Sequence, residues 1–214
     1  MATVKKRSYD MANRSRQAAE TQRRIVEAAG RLFLRDGYAA TSINSIAAEA
    51  GVAVQTVYAS MRTKKDILEA VVQLGVRGAA GEVPLVESSR WRAMDAEADP
   101  RRKLAMFARI HREICEREAS LFVVLEVAAA VDPEIEPLLQ DKERFRYHDQ
   151  ARVARSLRRR GQLQAGLSAR KAADIIWALA SERVYVALVR EREWCAEEYE
   201  AWLTDQLVAA LLTA

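Results

Sequence analysis

Four side chains that follow one glycine have the types and spacing needed to recognise double-stranded DNA. Val54, Gln55, Thr56 and Tyr58 lie within one short segment after Gly51. A glutamine amide can bind the edge of adenine with two hydrogen bonds, and valine and threonine methyl groups can contact thymine. A tyrosine hydroxyl can fix the protein on a phosphate without reading sequence. The alternative for Gln55 is a phosphate contact alone.

A helix, a glycine turn and a second helix are predicted to position these side chains. Thr41 or Ser42 can cap a helix that runs to Ala50, because a hydroxyl oxygen accepts a hydrogen bond from a free amide of the first turn. Gly51 permits the sharp turn that follows. The next helix spans roughly Val54 to Ser60 and would lie in the major groove.

Two longer helices flank this pair. Apolar residues recur on one face from about Ala19 to Arg35, and Gly37 follows as a C-terminal cap. A fourth helix, from about Lys64 to Arg77, is expected to hold the first three helices to the rest of the chain. The Lys64 ammonium is suited to a phosphate contact.

The remainder of the chain is also predicted to be helical, so the fold class is all-α. Half of the residues are hydrophobic, while four prolines and eight glycines are few for a β-rich protein. After a connection over 78–100 with a short helix near Trp91, helices are predicted over Arg101–Glu116, Ser120–Val131, Pro133–Arg160, Ser168–Arg190 and Ala196–Leu212. The total is nine to ten helices.

Charged residues are distributed unevenly along the chain. Residues 1–75 carry 12 Lys/Arg against 7 Asp/Glu, whereas residues 76–214 carry 22 against 23, so the basic surplus lies with the helix pair. We predict a basic, disordered arm over 1–18, a DNA-binding domain over 19–78 and a helical effector-binding and dimerisation domain over 79–214. The arm, with Lys5, Lys6 and Arg7, could also follow a DNA groove.

The larger domain offers candidate ligand contacts. Glu126 interrupts an apolar run, and a carboxylate there needs solvent, a partner or a ligand, which makes a cationic ligand one interpretation and a salt bridge the alternative. Aromatic residues at helical spacing line cavities less often than they fill cores. The candidate ligand-binding residues are Phe107, His111, Phe122, Glu126 and Trp177.

The last two predicted helices favour a homodimer. The segment AADIIWALA is apolar almost all the way round, so it needs cover on two sides, and the final helix carries a second apolar stripe. A protein that binds a twofold-symmetric DNA site through two recognition helices also requires a dimer. The predicted interface residues are Ile175, Ile176, Leu179, Tyr185, Trp202, Leu203, Leu207 and Leu211.

Other chemistries find little support. His111 and Cys115 lie four residues apart, but a metal site needs further ligands, so no metal and no cofactor are expected. The chain has two histidines and lacks a glycine-rich phosphate loop and a nucleophile elbow, which argues against an enzyme. Two distant cysteines and no export segment favour a cytoplasmic protein without a disulfide.

One segment resembles a known family. Over about residues 20–70 the chain is similar to the TetR family of bacterial transcriptional regulators, through Gly37, Thr41, Ile46, Ala47, Ala50, Gly51, Val52, Thr56, Tyr58, Lys64 and Leu68. Two departures are Ala53, where the family often has a capping serine, and Ser60–Met61, which replaces an aromatic residue or histidine followed by phenylalanine.

The resemblance implies a homodimeric regulator that binds a palindromic operator and is released by a small molecule. By position it implies that Thr41, Tyr58 and Lys64 touch phosphates, that 54–56 face bases, and that Arg23 and Arg24 are weaker phosphate candidates; Ser42 joins the DNA-contacting set. A ligand-released repressor is therefore expected. The alternatives are a DNA-binding regulator of the same fold without an effector, and a helical dimer that binds another protein.

Overall fold

The computed structural model describes the backbone of residues 2–77 and 85–213 and the side chains of residues 15–75 and 85–213. Apart from one β-bridge between Leu163 and Leu212, all regular secondary structure in this part of the chain is helical, as predicted. The helices are α1 (Ala2–Ala40), α2 (Ile43–Ala50), α3 (Val54–Ser60), α4 (Lys64–Arg77), α5 (Ser89–Ala96), α6 (Pro100–Val131), α7 (Glu136–Arg159), α8 (Ala169–Leu179), α9 (Glu182–Tyr185) and α10 (Ala196–Leu211).

The chain divides into two compact units. The first comprises Met1–Gln73 and Val124–Ile135, and the second comprises Leu74–Val123 and Glu136–Ala214. Among the described helices, none combines the length and apolar character needed to cross a bilayer. Residues 78–84, part of the predicted connection, lie outside the described residues, but α5 confirms the short helix expected near Trp91.

In the first unit, the apolar face predicted for the first helix is its core. The inward residues Ile25, Ala28, Ala29, Leu32 and Phe33 are all buried. Within α1 the helical backbone is interrupted at Gly37, whose positive φ of 80° is the conformation of a C-terminal cap. Its start differs from the prediction: α1 begins at Ala2 instead of Ala19, so a segment expected to be disordered is helical.

The turn between α2 and α3 follows the predicted pattern. Ser42 caps α2: its hydroxyl accepts a hydrogen bond from the Ser45 amide, and the Ser45 hydroxyl in turn accepts one from the Ser42 amide. Gly51 takes the left-handed conformation with φ 64°, and its N–H caps the end of α2. The left-handed backbone favours glycine here, and a Cβ would also crowd the Arg24 guanidinium at 3.0 Å.

Helix α3 lacks the cap that its neighbour has. Ala53 has the extended backbone of an N-cap but no side-chain acceptor. We expect Ala53→Ser to raise the free energy of unfolding by about 1 kcal/mol, because the hydroxyl would satisfy an amide of the first turn. Urea denaturation checks this, with Ala59→Ser, an exposed position inside the same helix, as the matched control. An equal gain in both variants would contradict the capping argument.

The second unit shows where the sequence pattern misjudged helix ends. The predicted helices over 101–116 and 120–131 form one helix, α6, because no residue between them breaks the backbone. Asp132 and Pro133 do not start the next helix; the Asp132 carboxylate accepts a hydrogen bond from the Glu134 amide in a turn, and α7 begins at Glu136. Its end at Arg159 agrees with the prediction to within one residue.

The predicted helix over 168–190 is broken at Ala180. There the backbone leaves the helical region, Ser181 caps the short α9, and a π-helical turn over Val186–Glu191 follows. The carbonyls of Trp177 and Ala180 accept hydrogen bonds from Arg146, and Gln150 donates a further one to Ala180. Long-range donors thus satisfy groups that the break leaves free, which sequence periodicity cannot reveal.

The same packing corrects the predicted dimer interface. Ile176, Tyr185, Leu203, Leu207 and Leu211 are buried within the second unit itself, so these five cannot form the surface that meets a second subunit. Their apolar side chains pack in the core of one protomer. Ile175, Leu179 and Trp202 are only partly buried and remain candidates for that surface.

Candidate nucleic-acid interface

Helix α3 presents the predicted base-reading side chains on its outer face. Val57 is fully buried and anchors the helix against α1 and α2, whereas Tyr58 is 54% exposed and Gln55 is exposed. Val54 and Thr56 are half-buried beside them. The arrangement gives α3 one apolar anchor and a polar surface without an acidic residue, which suits a helix that enters a groove of DNA.

Thr41 and Lys64 hold the start of α2 in place. Thr41 is buried, and its hydroxyl donates to the Gly37 carbonyl at 2.8 Å. The structure therefore does not place the Thr41 side chain among the exposed candidates. The Lys64 ammonium donates to the carbonyls of Tyr38 and Thr41 at 2.8 and 2.9 Å and lies 4.2 Å from the centre of the Tyr38 ring. Burial lowers the pKa of Lys64.

These contacts give Lys64 a structural role beside any phosphate contact. Because hydrogen bonds from a charged donor contribute about 1.5–3 kcal/mol, we expect Lys64→Met to lower the free energy of unfolding by roughly that amount. Lys65→Met is the matched control, since Lys65 makes no hydrogen bond or ion pair with the residues that the structure describes. Urea unfolding of both variants measures the difference, and equal stability would show that the Lys64 contacts contribute nothing.

The two arginines predicted as weaker phosphate candidates are already engaged. They lie within α1, not at its start. Arg23 forms ion pairs with Glu20 at 2.9 Å and Glu27 at 3.4 Å. The Arg24 guanidinium donates to the carbonyl of Ala50 and so caps the end of α2. Their charge contributes to the local field, but a phosphate would compete with these partners.

Two further cations near the end of α3 were not among the residues predicted to contact DNA. Arg62 is exposed, Lys65 is half-buried, and neither forms an ion pair within the described part of the chain. Thr63 and Asp66 cap α4 through reciprocal hydrogen bonds of 3.0 Å and fix the direction of this corner. The charge run RTKKD at 62–66 is the signal in the sequence that indicates them.

This geometry agrees with an independent family match. Residues 25–71 match the model of the bacterial regulatory proteins of the tetR family, a range that contains α2, α3 and the beginning of α4. Over these residues the chain carries the tetR-family DNA-binding segment. The predicted resemblance is thereby confirmed over this range, and the match is to regulatory proteins and not to enzymes.

Solved structures share the fold of this chain. A transcriptional regulator of Mesorhizobium loti has 21% identity and a TM-score of 0.70, covering 92% of this chain and 98% of that one. A regulator of Saccharomonospora viridis solved with choline has 23% identity and a TM-score of 0.70, covering 92% and 100%. FadR of Bacillus subtilis, solved with stearoyl-CoA, has 20% identity and a TM-score of 0.70, covering 87% and 97%. No curated protein is a significant match to the chain.

The candidate ligand-binding residues are brought together only in part. Phe107 and His111 are buried in the second unit with their rings stacked at 6.3 Å, and Phe122 is buried in the same unit. Trp177 is half-buried; its indole N–H donates to Glu143, and the Arg146 guanidinium lies 4.9 Å from its ring centre. Glu126, by contrast, belongs to the first unit and is half-buried there.

The His111 and Cys115 pair is buried and uncharged. The thiol sulfur lies 3.4 Å from the imidazole Nε2. Burial lowers the pKa of His111 to about 4 and raises the pKa of Cys115 well above its usual value. Within the described residues, no group of three or more metal-ligating side chains lies together, so the pair is part of the apolar core. Both cysteines are free thiols.

A buried ion network, which the sequence did not indicate, lies in the second unit. The Lys142 ammonium of α7 lies 3.1 Å from the Glu118 carboxylate of α6 and 2.8 Å from the Glu182 carboxylate of α9. Arg146 pairs with Glu182 at 3.4 Å and with Glu143 at 2.6 Å. Three helices are thus joined through charges that are removed from water, an arrangement that is costly if any partner is lost.

Proposed function

We propose that this protein is a homodimeric repressor of the TetR family that a small molecule releases from a palindromic operator. The exposed polar face of α3, anchored by the buried Val57, carries the proposal. In a dimer, two such helices would enter successive major grooves of an inverted repeat. Gln55 with Val54 and Thr56 would read bases, while Tyr58, Lys64 and Arg62 would contact phosphates. The cytoplasmic location expected from the sequence is part of this proposal.

The dimer surface is revised from the burial of the second unit. Its partly buried apolar side chains outside the core are the best remaining candidates, and they include Ile175, Leu179, Val186, Val189, Trp202 and Val208. A twofold interface is built from one patch meeting its own copy, so a continuous apolar surface on the last helices is sufficient. Substitution of Trp202 by a charged residue should therefore weaken dimerisation without emptying the core.

Ligand release is supported by the two-unit organisation of the chain. Helices α4 and α6 each contribute residues to both units, so a change in the second unit has two covalent routes to the first. Solved relatives of the fold bind chemically different molecules, among them choline, triclosan and stearoyl-CoA. A coupling free energy of about 1–3 kcal/mol between effector and operator would change operator affinity roughly 5- to 150-fold.

Selection of bound sequences from a random double-stranded DNA pool tests the DNA-reading part of this proposal. We expect the purified dimer to enrich an inverted repeat at near-physiological salt. Affinity for the selected repeat should fall steeply with salt, because each phosphate contact releases counterions. Recovery of no sequence by folded, dimeric protein would overturn the proposal and favour a helical dimer that binds another protein.

A regulator of the same fold without an effector is the second candidate. It would select an operator equally well, so DNA binding alone does not separate the two. Displacement of the selected operator by a small molecule separates them, because linkage requires an effector that weakens DNA binding to bind less tightly to the DNA complex than to the free protein. An operator complex that no tested ligand class dissociates would favour the effector-free regulator.

A further inference from the structure

Two buried carboxyl groups of the second unit meet at one ammonium group. Glu118 of α6 and Glu182 of α9 are each 2% exposed, and their Oε1 atoms lie 3.1 and 2.8 Å from the Nζ atom of Lys142. Because both distances end at the same nitrogen, the two oxygens are less than about 6 Å apart, where two negative charges disfavour each other. The two carboxyl side chains are also within hydrogen-bond reach of each other.

The hydrogen bonds around this pair do not satisfy two ionised carboxylates. The second oxygen of each carboxyl, Oε2, has no hydrogen-bond donor among the described groups. Arg146 lies 3.4 Å from the Glu182 carboxylate, but it donates its hydrogen bonds to Glu143 and to the carbonyls of Trp177 and Ala180. Ionising both carboxyls therefore places two negative charges on one hydrogen-bonding ammonium, away from water.

A single proton removes this conflict. A protonated carboxyl has an O–H donor whereas a carboxylate only accepts, so one proton converts two repelling acceptors into a donor and an acceptor. An O–H···O⁻ bond of this kind is short and strong. Burial, reinforced by the Glu182 charge, raises the pKa of Glu118 to about 7 against the attraction of Lys142. Burial opposes ionisation of Glu182 too, but Lys142 and Arg146 lower its pKa, so the proton resides on Glu118.

We propose that Glu118 and Glu182 share one proton, and that the resulting O–H···O⁻ hydrogen bond is a pH-dependent link between α6 and α9. With the proton in place, the Glu118 carboxyl donates to the Glu182 carboxylate, and the Lys142 ammonium neutralises the one remaining negative charge. Loss of the proton to solvent replaces this hydrogen bond by repulsion between two carboxylates. The carboxyl link therefore weakens as the pH rises through neutrality.

Other ionisable groups around the pair, within the described residues, come from three helices. They are His111, Cys115 and Arg117 of α6, Lys142, Glu143 and Arg146 of α7, and Tyr199 of α10. Burial lowers the pKa of His111 and raises those of Cys115 and Tyr199, so these three groups are uncharged near neutral pH. Helix α4 contacts Glu118 through Gly75, where an added Cβ would lie 3.0 Å from the Glu118 Cβ, and glycine brings no ionisable group.

Urea denaturation of the full-length protein between pH 5 and 9 tests the carboxyl link, with Glu118→Gln as the decisive variant. The glutamine amide donates an N–H to Glu182 at every pH, so the variant keeps the hydrogen bond and has no proton to lose. The pKa of Glu118 is higher in the folded than in the unfolded chain, so its stabilisation is lost as the pH rises. Relative to the variant, the wild-type unfolding constant should increase about tenfold per pH unit from 5 to 7 and level off above 8.

The matched control is Glu197→Gln, the same change at an exposed position of α10, which should follow the wild-type profile. Infrared spectra of the wild type give a second readout that does not require any variant to fold. At pH 6, where exposed carboxyls are ionised, we expect the C=O stretch of one protonated carboxylic acid, and at pH 9 we expect its loss. Parallel stability profiles for the wild type and Glu118→Gln, or no protonated carboxyl at pH 6, would overturn the carboxyl link.

Discussion

Gln55→Glu is expected to lower affinity for the selected operator by at least about 100-fold. Gln55 lies on the exposed face of α3, so the change places a carboxylate where the DNA surface would be. Loss of a bidentate base contact costs about 1–3 kcal/mol, and a like charge set against the phosphate backbone costs several more. Since each 1.4 kcal/mol is tenfold, even the lower values reach the expected loss, and the proposed dimer would carry the change twice.

The control for this prediction is Gln206→Glu, which introduces the same charge at an exposed position of α10. Fluorescence anisotropy with labelled operator measures both variants, and size-exclusion chromatography verifies that both remain dimers. We expect the control to bind within about twofold of the wild type, because a distant charge is screened over a Debye length of about 8 Å. Similar losses in both variants would show that net charge, not the position on α3, controls binding.

The helix pair could be predicted from the sequence because its signals are local. Ser42 as a cap, Gly51 as a turn and the bounds of α3 each depend on a few neighbouring residues, and the structure shows all three. The base-reading candidates could be predicted because the same local pattern determines that Val57 faces the core and which side of α3 is left exposed. Whether these side chains contact bases stays a prediction.

Burial of charged groups could not be predicted in the same way. The sequence pattern predicts a helix that ends at Glu116 and another that begins at Ser120. Glu118 was therefore expected to lie between two helices and not on a helical face. In the continuous α6, Glu118 lies four residues before Phe122 and seven before Leu125, in phase with the core. Its partners Lys142 and Glu182 come from distant helices, and a sequence read along the chain does not pair them. Glu126, the acidic residue that the apolar run around it singles out, belongs to the first unit instead.

The error in the predicted dimer interface has a related cause. An apolar side chain on a helix is covered either by its own protomer or by a partner, and periodicity records only that cover is needed. Tyr185 and Leu207 find it in the core of the second unit, where Tyr185 packs edge-on against Tyr199 with ring centres 4.9 Å apart. Distinguishing the two kinds of cover required the packed structure.

Lys142→Met is expected to lower the free energy of unfolding by about 3–5 kcal/mol, the largest effect on stability that we predict. Removing one partner of a buried ion pair leaves the other charge uncompensated, and here one ammonium serves both Glu118 and Glu182. Methionine keeps the length and apolar stem of lysine, so the packing loss is small. Arg144→Met is the matched control, because Arg144 lies on the same helix and pairs with Asp141 while 72% exposed.

The exposed pair should contribute no more than about 1 kcal/mol, so urea denaturation at neutral pH separates the two variants. Their pH dependence identifies the cause. Burial raises the pKa of Glu182, but Lys142 and Arg146 lower it overall, to about 2. Burial already raises the pKa of Glu118 to about 7. Without Lys142, the pKa of Glu118 should rise further, and that of Glu182 should rise above its unfolded value. The folded variant then binds more protons than the unfolded chain between the two pKa values.

It follows that the stability deficit of Lys142→Met should shrink as the pH falls from 8 to 5, because protonation neutralises the buried carboxyls in the folded state while those of the unfolded chain stay largely ionised. The double variant Lys142→Met with Glu182→Gln should recover part of the loss at pH 8 and show a weaker pH dependence. A deficit that is constant from pH 8 to 5 would mean that lost packing, and not an unpaired charge, accounts for the effect of removing Lys142.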